Sequence, residues 1–145
     1  VVLLLNQRTA DPDEIGLWVA RHSIPAMRFS ELPDQPEPSA ALTQKLKTCL
    51  ADLARKQDNP LIAPAFRADY AKSPARATGL AARLEKMTAF THLFCEDAQA
   101  RKLTRFGEPI HRLCCYKMVA GPETRYYLFY LTAGEKVAYY QSYED

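Results

Sequence analysis

The chain has 145 residues, 48% of them hydrophobic and 25% charged, which is typical of a soluble globular domain with a core of its own. Its formal net charge of +2 gives no strong overall attraction to a polyanion. This composition argues against a disordered or fibrous chain. The apolar run at 1–5 is too short to cross a bilayer, so no membrane association is predicted.

The distribution of prolines predicts three parts in the chain. Three of the six residues at 33–38 are proline, as expected of a linker. We therefore expect a small strand–helix–strand segment over 1–32, this linker, and a main domain over 39–145.

Within the small segment, an apolar run at 1–7 predicts a buried strand. Asp11 followed by Pro12 is typical of a helix start, because aspartate caps the first turn and proline suits the first helical position. The helix is predicted to end near His22, and a short strand would follow at 26–29.

Two amphipathic helices are predicted at the start of the main domain. Ser39 is a favourable N-cap for a helix over 40–56, in which apolar residues recur every three or four positions. Ser73 followed by Pro74 repeats this start signal and predicts a helix that continues to Met87.

The segments around these helices give a weaker signal. Residues 61–70 are predicted to be irregular and partly extended, and 90–95 alternates as a strand does. The pattern at 100–106 fits either a strand paired with 110–119 or the continuation of a helix that begins at Glu96. Periodicity does not separate these two structures.

Three runs rich in β-branched and aromatic residues follow at 110–119, 124–132 and 136–143, and turns containing Gly121 and Gly134 separate them. The predicted fold class is therefore α+β, with amphipathic helices packed on a C-terminal antiparallel meander of three to five strands. As an architecture, this order of elements resembles the general plan of NTF2-like and cystatin-like folds.

Alternation along the central strand of the meander places aromatic side chains on both faces, so we expect both faces to be covered. A concave tyrosine-rich sheet packed by helices is a common way to build a ligand pocket. The leading hypothesis is a non-catalytic binding or accessory module. Its sheet would contact a protein partner or a small apolar ligand, or form a homodimer. The residues assigned to this surface are Arg125, Tyr126, Tyr127, Phe129, Tyr130, Tyr139 and Tyr140.

An alternative hypothesis is a small-pocket enzyme of the isomerase or hydrolase type. His92 or His111 would act as acid or base, together with Cys114, a tyrosine or a carboxylate such as Asp69. Catalysis is disfavoured because the sequence has no Walker A, GxGxxG, GxSxG or HExxH motif. No cofactor is predicted, and the lack of CxxC or HxxxH spacing predicts no metal site.

Spacing limits which histidine and cysteine side chains can meet. His92 and Cys95 are three apart on a predicted strand and should point to opposite faces. His111 and Cys115 share a face, but four residues of extended chain separate them by roughly 13 Å. A pair formed across strands, such as His92 or His111 with Cys114, stays open.

Basic residues are concentrated in the helical part. Residues 41–89 contain nine Lys or Arg against four Asp or Glu, whereas 90–145 is balanced at seven of each. Nucleic-acid binding through the basic helices is therefore a second alternative. It is disfavoured because the aromatic strands that would stack on bases lie in the balanced part, and a solvated helix face explains the same charge more simply.

The cysteine count bears on the compartment. Four cysteines, Cys49, Cys95, Cys114 and Cys115, are too few for a disulfide scaffold at this length. Cys114 and Cys115 are neighbours on a predicted strand and are expected to fill space as small apolar side chains. Reduced thiols and a cytoplasmic location are predicted on this basis. A processed secreted or periplasmic protein is the alternative.

Overall fold

The computed structural model describes residues 28–37 and 39–144. The chain divides into two compact units, one made of 1–33 with Asp145 and the other of 34–144. The second unit contains all the helices and strands considered below.

Only the end of the first unit lies within the described residues. Phe29–Glu31 forms a single 3-10 turn, where the sequence predicted the end of a strand over 26–29. The strand predicted over 1–7 and the helix predicted after Asp11 lie outside the described residues.

The first predicted helix of the main domain is confirmed as α1, Ala40–Arg55. The backbone N–H of Leu42 donates to Ser39 Oγ at 3.2 Å, so Ser39 is the cap that the sequence predicts. Lys56 ends the helix with φ of 57°, in the left-handed region. The buried stripe of α1 consists of Leu42, Thr43, Leu46, Cys49, Leu50 and Leu53.

A short helix that the sequence analysis missed, α2, spans Pro64–Ala71. The prediction of an irregular segment at 61–70 was therefore wrong. Pro64 suits the first helical position, but the residue before it is an alanine, which has no capping group. Phe66 and Tyr70, four apart, are the buried residues of α2. Two turns with two large apolar side chains are too few to establish a period.

Helix α3 spans Pro74–Glu85 and confirms the start predicted from Ser73 and Pro74. It buries Ala77 and Leu80. The helix ends before Met87, because that residue already belongs to the first strand. Within the described part of the chain, no helix is both long and apolar enough to span a membrane.

The sheet confirms the predicted meander, and the strand predicted at 90–95 is confirmed as its fourth member. In chain order the strands are β1 (Met87–Asp97), β2 (Thr104–Arg105), β3 (Glu108–Pro109), β4 (Arg112–Ala120), β5 (Glu123–Leu131) and β6 (Val137–Tyr143). Their order in the sheet is β1-β4-β5-β6, and every neighbouring pair is antiparallel. The two short strands, β2 and β3, form a separate hairpin between β1 and β4 along the chain.

The hairpin β2–β3 takes the place of both structures predicted for 100–106. A 3-10 turn at Gln99–Arg101 precedes it. Phe106 and Gly107 connect its strands with φ of 50° and 81°, and positive values at both central positions are what a type I′ turn requires. Glycine adopts this conformation readily, whereas it is unusual for a bulky residue such as Phe106.

The three helices lie on one face of the sheet. Thr43 of α1 donates a hydrogen bond to the Tyr116 hydroxyl at 3.1 Å. The rings of Phe66 in α2 and Tyr140 in β6 meet edge to face, 5.8 Å apart. Helices packed on an antiparallel sheet form an α+β fold, as predicted, with the core between the two layers.

From 34 to 37 the proline-rich segment runs beside the sheet without regular secondary structure. The N–H of Gln35 donates to the carbonyl of His92 in β1 at 3.1 Å. Asp34 pairs with Lys117 of β4 at 2.5 Å. These two contacts hold the start of the second unit against β1 and β4.

Candidate functional site

The residues that the sequence assigns to a binding surface fall on two faces of the sheet. Tyr127, Phe129 and Tyr140 face the helices and are 0%, 0% and 8% exposed. Their rings contact one another at centroid distances between 5.6 and 6.4 Å. In this structure, therefore, these three side chains belong to the core.

Arg125 lies at the start of the same face and takes part in an ion-pair network. Its guanidinium contacts the carboxylates of Glu123 and Glu144, and Arg83 of α3 reaches Glu123 at 3.0 Å. Hydrogen bonds from Arg125 and then from Arg83 lower the pKa of Glu123. Glu123 thus joins Arg125, at the start of β5, to Arg83 of the helix.

The opposite face of the sheet is also buried within this chain. Tyr126 and Tyr130 are 4% and 6% exposed, and Tyr139 is partly exposed. The guanidinium of Arg105, in the hairpin, lies 4.7 Å from the ring centre of Tyr130 and 5.9 Å from that of Tyr139. The prediction that the central strand is covered on both faces is confirmed.

Three phenol hydroxyls lie beneath α2 and α3. Tyr140 donates to the Tyr70 hydroxyl at 3.1 Å, and Tyr70 donates to the carbonyl of Arg76. Burial raises the pKa of Tyr70, Tyr127 and Tyr140. Arg83 opposes this rise at Tyr127, but no hydrogen bond of normal geometry reaches that hydroxyl within the described residues.

His92 is buried in β1 at 6% exposure, and no hydrogen-bond partner for either ring nitrogen lies within the described residues. A bulge between His92 and Phe94 adds one residue to β1, so His92 pairs with Tyr116 and Cys95 with Cys114. Partners two apart on β4 share a face. The prediction that His92 and Cys95 face opposite ways was therefore wrong, because the bulge changes the alternation.

Cys114 is not a free thiol in this structure. It forms a disulfide with Cys95 across β1 and β4, with the two Cα atoms 4.1 Å apart. The prediction of reduced thiols was therefore wrong for this pair. Cys49 and Cys115 lie outside the disulfide and are buried, and burial raises the pKa of Cys49 to about 11. Neither of these two has the exposure that a reactive thiol needs.

A cavity of about 560 Å³, here called the end-of-sheet pocket, opens beside this disulfide. It lies between the first turn of α1, the end of β1, the start of β4 and the loop from β5 to β6. Cys95 lines it, together with eight polar or charged residues: Ser39, Glu96, Asp97, Gln99, His111, Arg112, Thr132 and Glu135.

Charges of both signs are held in fixed pairs around the pocket. Glu135 pairs with Lys45 at 3.0 Å and with Arg112 at 3.3 Å, and the hydrogen bond from Lys45 is the main reason why the pKa of Glu135 is lowered. Glu96 pairs with Arg101 at 3.0 Å. The walls can therefore offer both hydrogen-bond donors and acceptors to a ligand.

His111 is the one sequence-predicted acid or base that lines this pocket. Its N–H donates to the carbonyl of Leu131 and its carbonyl accepts from Ala98, both at 2.8 Å. Its ring makes no hydrogen bond to an acid or a cysteine within the described residues. Asp69 is not among the lining residues, because it lies on α2 and pairs there with Arg76 at 3.3 Å.

A second cavity, of about 570 Å³, is a groove between α1 and α3. Its charged residues are Lys47, Asp52, Arg55 and Glu85, and much of the rest of its wall is alanine. The groove is as large as the end-of-sheet pocket but has neither a histidine nor the disulfide. The end-of-sheet pocket is therefore the better candidate site.

The basic charge of the helical part is largely neutralised locally. Of the nine Lys or Arg residues in 41–89, five form ion pairs with nearby carboxylates. The paired residues are Lys45, Arg67, Lys72, Arg76 and Arg83. Within residues 28–37 and 39–144, no three His, Cys, Asp or Glu side chains are grouped closely enough to hold a metal ion.

The pocket residues other than His111 were missed by sequence reasoning. None of Glu96, Asp97, Arg112 and Glu135 was assigned to a site from the sequence. Their common signal is that each lies at the end of a strand or in a turn at one edge of the sheet, where side chains from separate segments meet.

No family model, curated protein or solved structure matches this chain. The case for the site therefore rests on the residues and geometry described above.

Proposed function

We propose that this chain is a non-catalytic binding module that holds a small zwitterionic ligand, of the amino-acid or short-peptide class, in the end-of-sheet pocket. The observation that carries the proposal is the pairing of both signs of charge in one cavity. Arg112 lies there with Glu96, Asp97 and Glu135, and Lys45 pairs with Glu135 at 3.0 Å.

The donors suit the carboxylate end of such a ligand. Arg112 has a side chain 46% exposed and uses one terminal nitrogen on Glu135, at a distance of 3.3 Å. The remaining guanidinium N–H groups can bind a carboxylate. Ser39 also lines the pocket at the start of α1, where the first backbone N–H groups have no partner within the helix.

The acceptors suit the ammonium end. Asp97 is exposed, and one of its oxygens accepts from the N–H of Gln99 at 2.8 Å, which orients the carboxylate. Glu96 is 39% exposed and pairs with Arg101 on one side. An anion would meet repulsion from the three carboxylates and a cation would meet repulsion from Arg112, whereas a zwitterion can place each of its charges beside an opposite one.

We propose the pocket as the binding site, and not the tyrosine-rich sheet, because most of the aromatic side chains of the sheet are buried within the chain. Tyr126, Tyr127, Phe129, Tyr130 and Tyr140 are each less than 9% exposed. A protein partner, a small apolar ligand or a homodimer contact on the sheet stays a prediction. Light scattering on the purified chain is the measurement that tests the homodimer.

Calorimetric titration with a set of dipeptides tests the proposal. We expect saturable binding of zwitterionic dipeptides and loss of at least about tenfold in affinity for Arg112→Gln and for Asp97→Asn, because each removes a charge-assisted contact. Arg55→Gln is the matched control, since Arg55 lines the other groove. Equal affinities in all four proteins, or binding of terminally blocked peptides with the same affinity, would contradict the proposal.

A second candidate function, a small-pocket hydrolase or isomerase, is favoured by the position of His111 in the pocket. His111 would act as acid or base, since His92 is buried and Cys114 is in the disulfide. Hydrolysis of chromogenic ester and amide substrates by the wild type, absent from His111→Gln, would support it. Equal rates for the two proteins would leave binding as the function.

The compartment is also a matter of proposal. The prediction of a cytoplasmic location was based on reduced thiols, and the Cys95–Cys114 disulfide removes that basis. Disulfides persist chiefly in oxidising compartments, so a secreted or periplasmic location is favoured. The protein can be quenched in acid directly from its source and its thiols then alkylated and counted. Two reactive thiols would mean that the Cys95–Cys114 disulfide is present in that compartment, and four would mean that it is absent.

A further inference from the structure

The disulfide is placed where a ligand in the pocket can reach it. Cys95 lies near the end of β1, an outer strand of the sheet, and lines the pocket. Cys114 is its partner on β4. The disulfide is therefore part of the wall and does not lie wholly inside the core.

The two sulfurs differ in access. Cys95 is partly exposed, whereas Cys114 is 0% exposed. Thiol–disulfide exchange begins when a thiolate attacks one sulfur, and access decides which sulfur is attacked. A thiolate that enters through the pocket meets Cys95, and Cys114 becomes the leaving group.

The positive charge of Arg112 favours such an attack. A thiolate is stabilised by a nearby arginine, and Arg112 lines the same cavity as Cys95. The carboxylates Glu96 and Asp97 can hold the ammonium group of the same molecule. A small thiol that is also a zwitterion therefore fits both the charges and the disulfide.

We propose that the end-of-sheet pocket is a site of thiol exchange, in which a zwitterionic thiol of the cysteine-containing short-peptide class forms a mixed disulfide with Cys95. The thiol first loses its proton to solvent. Its sulfur then bonds to Cys95 Sγ as the Cys95–Cys114 bond breaks, and the Cys114 thiolate takes up one proton. No separate oxidant is needed, because the disulfide is the electron acceptor. This inference rests on the proposed function and names the ligand class of the same pocket.

Peptide mapping of the oxidised full chain after incubation with reduced glutathione tests the inference. We expect a single adduct, on Cys95, and a free thiol at Cys114. Exchange with glutathione should exceed exchange with uncharged 2-mercaptoethanol by about fivefold at equal thiolate concentration, because an exposed charge pair contributes up to about that factor. Arg112→Gln should remove this advantage, and Arg55→Gln should keep it.

Three outcomes would overturn the inference. The first is an adduct mainly on Cys114. The second is the lack of any adduct under conditions in which a phosphine reduces the disulfide. The third is a preference for glutathione over 2-mercaptoethanol that is the same in Arg112→Gln and in the wild type. S-methylglutathione, which cannot exchange, separates this inference from the proposed function. Binding of S-methylglutathione without exchange of glutathione overturns the inference alone, whereas no saturable binding of either peptide overturns the proposed function itself.

Discussion

The aromatic interior beneath the helices and the end-of-sheet pocket share strands β1 and β4, yet their chemistry is opposite. In the interior, Tyr127 and Phe129 are fully buried, and burial raises the pKa of Tyr127. In the pocket, Glu135 is half-exposed, and its pKa is lowered by the hydrogen bond from Lys45. The tyrosines look like a binding surface in the sequence, but in this structure they stabilise the fold, and unremarkable charged residues surround the cavity.

The largest difference in stability between the two regions is expected for a substitution of Phe129 in the interior. Its ring contacts those of Phe90, Tyr116 and Tyr140 and is 0% exposed. Phe129→Ala should lower the free energy of unfolding by about 3–5 kcal/mol, since it leaves a cavity in a closed core. Arg112→Gln in the pocket should change it by less than about 1 kcal/mol. Urea unfolding measures both, and similar losses would remove the distinction between the two regions.

The second largest effect on stability is expected for the disulfide, which joins β1 and β4 beside the pocket. Cys95 and Cys114 are 19 residues apart, and the hairpin β2–β3 lies inside the loop they close. Replacing both with alanine should destabilise the chain by about 3 kcal/mol, since the unfolded state loses a cross-link of this length. The urea midpoints of the double variant and the oxidised wild type give the value. No difference between them would show that the cross-link adds nothing to stability.

A smaller effect separates two phenols of the interior. Tyr140→Phe removes the hydrogen bond to Tyr70 and should cost about 1 kcal/mol. Tyr127→Phe removes a buried hydroxyl that has no hydrogen bond of normal geometry within the described residues, so we expect no loss or a small gain in stability. Thermal unfolding of the two variants side by side is the measurement. A larger loss in Tyr127→Phe would show that its hydroxyl has a partner, and Arg83, which lowers the pKa of Tyr127, is the candidate.

The smallest effect belongs to the pocket and depends on pH. The lowered pKa of Glu135 means that its carboxylate stabilises the folded state above the ordinary value of 4.5, and that this stabilisation is lost as the pH falls through the folded pKa. Glu135→Gln should therefore cost at most about 1 kcal/mol near neutral pH, because the side chain is 43% exposed. The difference from wild type in urea midpoint should shrink below pH 4.5. If the difference in urea midpoint between Glu135→Gln and wild type is the same near neutral pH and below pH 4.5, the ion pairs of Glu135 are not its cause.

Local chemistry explains why most elements could be predicted. Ser39 supplies an acceptor for the first turn of α1, and Pro74 suits the first turn of α3. Gly121 adopts φ of 61° in the two-residue turn between Ala120 and Glu123, which few other residues do at low cost. Each of these signals acts over a few residues, so it is present in the sequence without knowledge of the fold.

Helix α2 shows where local signals fail. It has a proline at its first position but no capping side chain before it, and only Phe66 and Tyr70 are buried. A helix of eight residues gains little from its own hydrogen bonds, so packing of these two rings on Tyr140 determines its structure. That contact joins residues 70 apart and leaves no pattern in the segment itself.

By itself, the sequence determined the fold class, the starts of α1 and α3, and the order of the last three strands, because caps, turns and alternation are properties of neighbouring residues. Only the tertiary structure decided the disulfide and the pocket. The bulge after His92 brings Cys95 onto the face of Cys114, and the register of β1 on β4 then places Asp97 opposite Arg112. Register and bulges depend on pairing between distant segments, and the pocket depends on both.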